Sequence, residues 1–294
     1  VNVDVRVLGA PRLDAGVQQH AFDRLPESPY FRLNPRAVRL HPRRIAHDAI
    51  GQVLGRRSNH RDRCAKFVRH RGHEPPAVVD AFVRRAYLMR EWVGPDVELA
   101  FDFHGKLTPA LAIEICHELR GMRPLFVEEP VPQENVDALK RVADAVPVPI
   151  ATGERLLTRW GFREVCERQA AAYLQPDVSH VGGITELKKV AHQAELYYMH
   201  LAPHCAIGPV ALAAALHVDA VVPNFLIQEQ IDQSLGDGLL EEPWQVVDGY
   251  IELPTRPGLG FEINAREAEQ QRTEYVEELG GEFYHPSDGS VADW

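Results

Sequence analysis

No run of about 18 apolar residues occurs in this sequence, so no membrane-spanning helix is expected. Cysteine is scarce. The four that exist (Cys64, Cys116, Cys166 and Cys205) are scattered and form no C-x-x-C pair. A zinc or disulfide framework is therefore not expected, and a reducing compartment fits best. The opening residues, VNVDVRVLGAP, lack a basic stretch followed by an apolar one. The expectation is no secretory signal and a cytoplasmic location. Low-complexity tracts are also missing.

What is present is length for one large core: 294 residues, 45% of them hydrophobic. An α/β barrel can use that length as a single domain. The net charge of −10 hides a division. Residues 1–73 carry 15 Lys/Arg against 6 Asp/Glu, and residues 74–294 carry 17 against 36. A basic segment invites a nucleic-acid partner. This one has few aromatics, no recognisable module and no helical period in its HPRR and RHRGH runs, so no nucleic acid is expected.

Regular patterning is strong after residue 74. Pro75-Pro76 would start a helix whose apolar stripe runs from Val79 to Val93, and Gly94-Pro95 would end it. Six β/α units follow. Their strands are read at 97–101, 125–127, 149–152, 172–175, 199–202 and 224–228. The intervening helices are read at 109–119, 135–145, 161–168, 184–196 and 210–218. Residues 251–253 and 260–263 suggest a terminal hairpin, with an Asp248-Gly249 turn signal nearby. Alternating Val1, Val3, Val5 and Val7 suggest a strand that could supply a further barrel strand. Residues 14–73 show no comparable pattern.

Each strand closes on a polar residue: Asp102, Glu128, Glu154, Asp177, His204 and Glu229, at intervals of 23–27 residues. In a parallel barrel all strand C-termini open on one face, where the active site sits. Single strand-end carboxylates are usually surface ion-pair partners. Three on consecutive strands, Asp102, Glu128 and Glu154, make a site for a hard cation, and oxygen ligation suits Mg²⁺.

Asp177 and His204 close neighbouring strands. An aspartate that accepts one ring N–H fixes the imidazole tautomer and makes the other nitrogen a better base. Asp177 could otherwise cap the next helix. His104, two residues after Asp102, offers an acid facing that base. Glu229 could bind a substrate hydroxyl or His104. Arg155, His180 and Lys106 are further candidates for substrate contact. A cation between two histidines suits removal of the proton beside a carboxylate, followed by loss of a β-hydroxyl as water.

The segments DFHGK (102–106), PLFVEEP (124–130), GER (153–155), LQPDVSHVGGITE (174–186), LAPHCAIGP (201–209) and QEQ (228–230) occur in this order. With RPGLG at 256–260 and the ending DGSVADW, they resemble the acid-sugar dehydratases of the enolase superfamily, in its mandelate racemase branch. The likeness runs from about residue 78 to the end. It implies a TIM-like (β/α) barrel with Mg²⁺ on Asp102, Glu128 and Glu154. His204, oriented by Asp177, would abstract the C2 proton. His104 would expel the C3 hydroxyl, and Glu229 would lie beside the substrate. The implied substrate is a six-carbon aldonic acid, galactonate or gluconate, and the product a 2-keto-3-deoxy acid. A homo-oligomer is implied as well.

The departure is at the front. The family carries an N-terminal α+β capping domain that is not visible here in intact form, and Lys66 is the candidate for a missing barrel strand. The expected organisation is an atypical basic segment over 1–73, a frameshifted or truncated front end; a barrel over 74–264; and a tail over 265–294 that packs on it. Two other readings stand beside the dehydratase: a racemase or epimerase on the same scaffold, and an inactive truncated remnant.

Overall fold

The computed structural model describes residues 4–8, 76–247 and 249–270. In chain order the elements are β1 (Asp4–Leu8), α1 (Pro76–Val93), β2 (Glu98–Asp102), α2 (Pro109–Leu119), β3 (Phe126–Glu128), α3 (Val136–Ala145), β4 (Ile150–Thr152) and α4 (Thr158–Arg168). Then come β5 (Tyr173–Leu174), α5 (Val178–Val181), α6 (Ile184–Glu195), β6 (His200–Leu201), α7 (Pro209–Asp219), β7 (Val246–Val247), β8 (Tyr250–Ile251) and α8 (Ala265–Gln270).

Strands β2 to β6 pair in chain order, all parallel. A parallel bridge from Leu201 to Phe225 continues the series. This is the β/α succession of a TIM-like barrel. The helices form where the sequence places their caps. Thr108 accepts the Leu111 N–H at 3.4 Å, with Pro109 at the first helical position of α2. Asn135 accepts the Ala138 N–H at 3.0 Å and starts α3.

Strand alternation sorts the side chains into two layers. Leu99, Phe101, Val127, Ile150, Leu174 and Leu201 join the large core beneath the helices. Ala100, Phe126, Ala151 and Ala202 form a second, smaller cluster on the other face of the sheet. Both faces are therefore apolar, as a parallel sheet requires. The polar strand ends lie just beyond the inner layer.

Several expectations shift. β1 does not act as a parallel barrel strand. It pairs antiparallel with β2, Asp4 opposite Asp102. The strand read at 224–228 narrows to the one bridge at Phe225. The hairpin pairs β7 with β8, Val246 opposite Ile251 and Val247 opposite Tyr250; Asp248 of the turn signal lies outside the described residues. Residues 260–263 are not its second arm; Ile263 bridges Leu240 instead. Residues 9–75, with Lys66, lie outside the described residues, as does the tail beyond 270. Among the described residues no helix is long and apolar enough to cross a membrane.

Phe101 is fully buried and meets Phe82 of α1 edge-on, with ring centroids 5.9 Å apart. Phe101→Ala should cost about 3–5 kcal/mol. Urea unfolding measures it. A loss under about 1 kcal/mol would mean that α1 does not pack on β2 as described.

Candidate active site

Asp102 ends β2 and Glu128 ends β3, and the two are register partners. Glu154, Asp177 and His204 follow the ends of β4, β5 and β6 by two to three residues. Parallel strands deliver all of them to one end of the sheet. Asp102, Glu128, Glu154, Asp177 and Glu229 are all buried there.

Glu154 lies at the centre. Its Oε1 is 2.9 Å from His104 Nδ1, and its Oε2 is 3.5 Å from His204 Nε2. Its backbone carbonyl is 2.9 Å from His180 Nδ1. The His180 and His204 rings stack 6.5 Å apart. Three histidines thus surround one glutamate.

Asp177 fills both roles that its sequence position left open. Its Oδ2 lies 2.7 Å from His204 Nδ1. Its Oδ1 accepts the Ser179 and His180 backbone N–H groups at 2.7 and 3.2 Å and caps α5. The His204 loop is held from both sides. Gln228 Nε2 donates to the Pro203 carbonyl at 2.9 Å, and Glu229 Oε2 accepts the Cys205 N–H at 3.4 Å.

His104 reaches the site by a different route from the one alternation suggests. β2 stops at Asp102, whose Oδ1 accepts the His104 N–H at 2.7 Å. His104 then adopts a left-handed backbone, φ +50°. That tight turn, not strand period, brings its ring to Glu154. Side-chain donor atoms of Asp102, His104 and Glu154 all lie within 4.8 Å of one another. Glu128 is not part of that group, although it lies beside Asp102 in the sheet.

The other candidates are placed as follows. Arg155 donates to Glu129, and both side chains are almost wholly buried. His180 is half-buried beside Glu154, and Lys106 is exposed. Glu229 lies at the Cys205 N–H, and its charge acts on His204. Glu129 was missed in the sequence. The signal was present: an acid doublet at 128–129 and an acid–base doublet at 154–155, at matching strand ends.

The crowding of carboxylates shows in the proton affinities. Burial alone would lower His204. Glu229, the Asp177 hydrogen bond and Glu154 outweigh it and raise His204 to about 9. Burial would raise Asp177, but the His204 contact and the Ser179 N–H hold it below the ordinary carboxylate range. Glu129 is pushed up by burial and by the charge of Glu154, against the pull of Arg155.

Residues 56–268 match the family described as Enolase C-terminal domain-like. The chain belongs to this family. The D-galactonate dehydratase of Cronobacter sakazakii is 42% identical over 224 residues, covering 74% of this chain and 58% of that protein. The D-galactonate dehydratase of Ralstonia pickettii matches over the same shares at 42%. The chain thus spans less than two thirds of the length of these curated relatives. Among solved structures, a mandelate racemase/muconate lactonizing enzyme-like protein from Rubrobacter xylanophilus superposes with a TM-score of 0.66 at 38% identity, over 71% of this chain and 54% of that one. A mandelate racemase/muconate lactonizing enzyme from Sulfitobacter gives 0.65 at 41% identity, over 68% and 50%.

Members of the enolase superfamily typically use a divalent metal, and the residues present here fit one. Asp102 and Glu154 offer clustered oxygens, and Glu128 adds a buried carboxylate on the adjoining strand. Buried carboxylates are held by pairing or by coordinating a cation. A hard, oxygen-preferring ion suits this set.

The raised His204 has a consequence for stability without metal. Its ordinary value is 6.5 and its folded value about 9, so the folded state binds the proton more tightly. The stabilisation is complete below about 6.5 and is lost as pH rises through about 9. Melting temperature of metal-free protein should fall across that window. Asp177→Asn, which removes one cause, should flatten the fall. Equal slopes in the two proteins would contradict the Asp177–His204 pairing.

Proposed function

We propose that this chain dehydrates a six-carbon aldonic acid, galactonate or gluconate, to the 2-keto-3-deoxy acid in a Mg²⁺-dependent reaction. The observation that carries this reading is the pair of histidines on opposite oxygens of Glu154, one of them backed by Asp177. Proton abstraction and loss of hydroxide need a base and an acid in one site, and this arrangement offers both. The two D-galactonate dehydratases at 42% identity support the substrate class.

His204 is the base. With Asp177 holding the Nδ1–H, Nε2 carries the lone pair and takes the proton from C2. His104 is the acid. It gives a proton to the C3 hydroxyl, which leaves as water, and the enol so formed tautomerises to the ketone. Asp102, Glu128 and Glu154 hold the cation. Bound there, Mg²⁺ would supply positive charge beside the substrate carboxylate and, by offsetting Glu154, bring His204 back toward its ordinary range. Glu229 and His180 flank the base and contact the substrate. The reading includes a cytoplasmic, homo-oligomeric protein with no nucleic-acid partner.

The test is turnover of an aldonic-acid panel with Mg²⁺, scoring 2-keto-3-deoxy products. One of the acids should be converted. His204→Ala should lose roughly 10²–10⁴-fold. Exchange of the C2 proton with solvent and no loss of water would make the chain a racemase or epimerase. Folded, metal-loaded protein with neither activity would overturn both readings.

A further inference from the structure

Glu129 and Arg155 take no part in the proton transfers above, yet their side chains are almost wholly buried against each other. Each directly follows a carboxylate of the cation set, Glu129 after Glu128 and Arg155 after Glu154. Their ion pair therefore joins the end of β3 to the end of β4. The third strand end is tied to the same pair. The Gly105 N–H donates to the Glu129 carbonyl at 2.8 Å, and the Phe103 N–H to the Glu128 carbonyl at 3.0 Å. The guanidinium also packs against Gly105 of the β2 loop. A Cβ on Gly105 would stand 2.4 Å from Arg155 Nη2, and its φ of +69° favours glycine independently. Arg155 is fixed from its other side as well, since Gln133 Nε2 donates to its carbonyl at 3.3 Å. Glu129 holds a left-handed backbone, φ +38°, strained for a residue with a side chain.

We propose that the Glu129–Arg155 pair is a positioning brace that locks the loops after β2, β3 and β4, so that Asp102, Glu128 and Glu154 keep one spacing for the cation. This rests on the reading that those three carboxylates hold it. Residues that orient metal ligands typically cost about 10–100-fold in metal affinity when changed.

A brace and a simple charge effect predict opposite results for one variant. Arg155→Met removes a positive charge near a cation site, so charge alone predicts tighter binding. The brace predicts binding weaker by about 10–100-fold. Mn²⁺ titration of the full chain by electron paramagnetic resonance reads the affinity. Amide hydrogen exchange of the metal-free protein reads the loops, with faster exchange expected at 103–106 and 128–130. Gly105→Ala displaces the guanidinium without altering charge and should act in the same direction. It decides the matter if Arg155→Met does not fold. Arg155→Met that binds Mn²⁺ as tightly as wild type or more tightly would overturn the brace. So would unchanged exchange in folded Arg155→Met or in Gly105→Ala. Wild type that binds no Mn²⁺ would sink the cation reading, and the exchange comparison would then judge the brace alone.

Discussion

Five carboxylates are buried at one end of the sheet: Asp102, Glu128, Glu154, Asp177 and Glu229. Each must find positive charge or hydrogen-bond donors there, because a lone carboxylate in a protein interior costs far more than folding can offset. The rest of the site follows from that demand. Asp177 is satisfied by the His204 ring and two backbone N–H groups. Glu154 draws two histidine rings to its two oxygens. Glu129 adds a further acid and brings its own guanidinium. His104, His204 and Arg155 all lie against buried negative charge.

The backbone makes this crowding possible. Parallel pairing of β2 through β6 sends every strand end the same way. The inner layer just below is mostly small, with Ala100, Ala151 and Ala202 leaving room for the polar strand ends above. Helix α5 begins at Asp177. A capping residue and a histidine partner are thus one side chain, so the start of a helix fixes the orientation of a ring on the next loop. The left-handed Glu129 does similar work, since an extended strand would send the consecutive Glu128 and Glu129 to opposite faces.

Most of this was legible in the sequence wherever local rules decide the outcome. Helix α2 runs from Pro109 to Leu119, the range read from its pattern, because a Thr-Pro start and an apolar stripe agree. The polar strand ends were legible because period and position coincide. Two kinds of feature were not. The turn that carries His104 to the site, and the place of Glu129, depend on left-handed backbones that no non-glycine residue announces. The Arg155–Glu129 pair joins residues 26 apart, and nothing local to Arg155, which was read as a substrate contact from its place near the mouth, points to that partner. The shift of the hairpin to residues 246–251 is a smaller case. The apolar run at 260–263 pairs elsewhere, since Ile263 bridges Leu240 while Ile251 pairs with Val246.

The same charge bears on the order in which the site fills. On the proposed reading an aldonic acid would approach as an anion and, without a cation, would meet the buried Asp102, Glu128 and Glu154, while Arg155 is already paired with Glu129. Like charges at this end of the sheet would repel the anion. A divalent cation held there would reverse the sign of that interaction and offset part of the negative charge that raises His204. The same carboxylates that would attract a cation would disfavour an anionic ligand in its absence. Glu154, which lies against both His104 and His204, links the cation set to the two histidines.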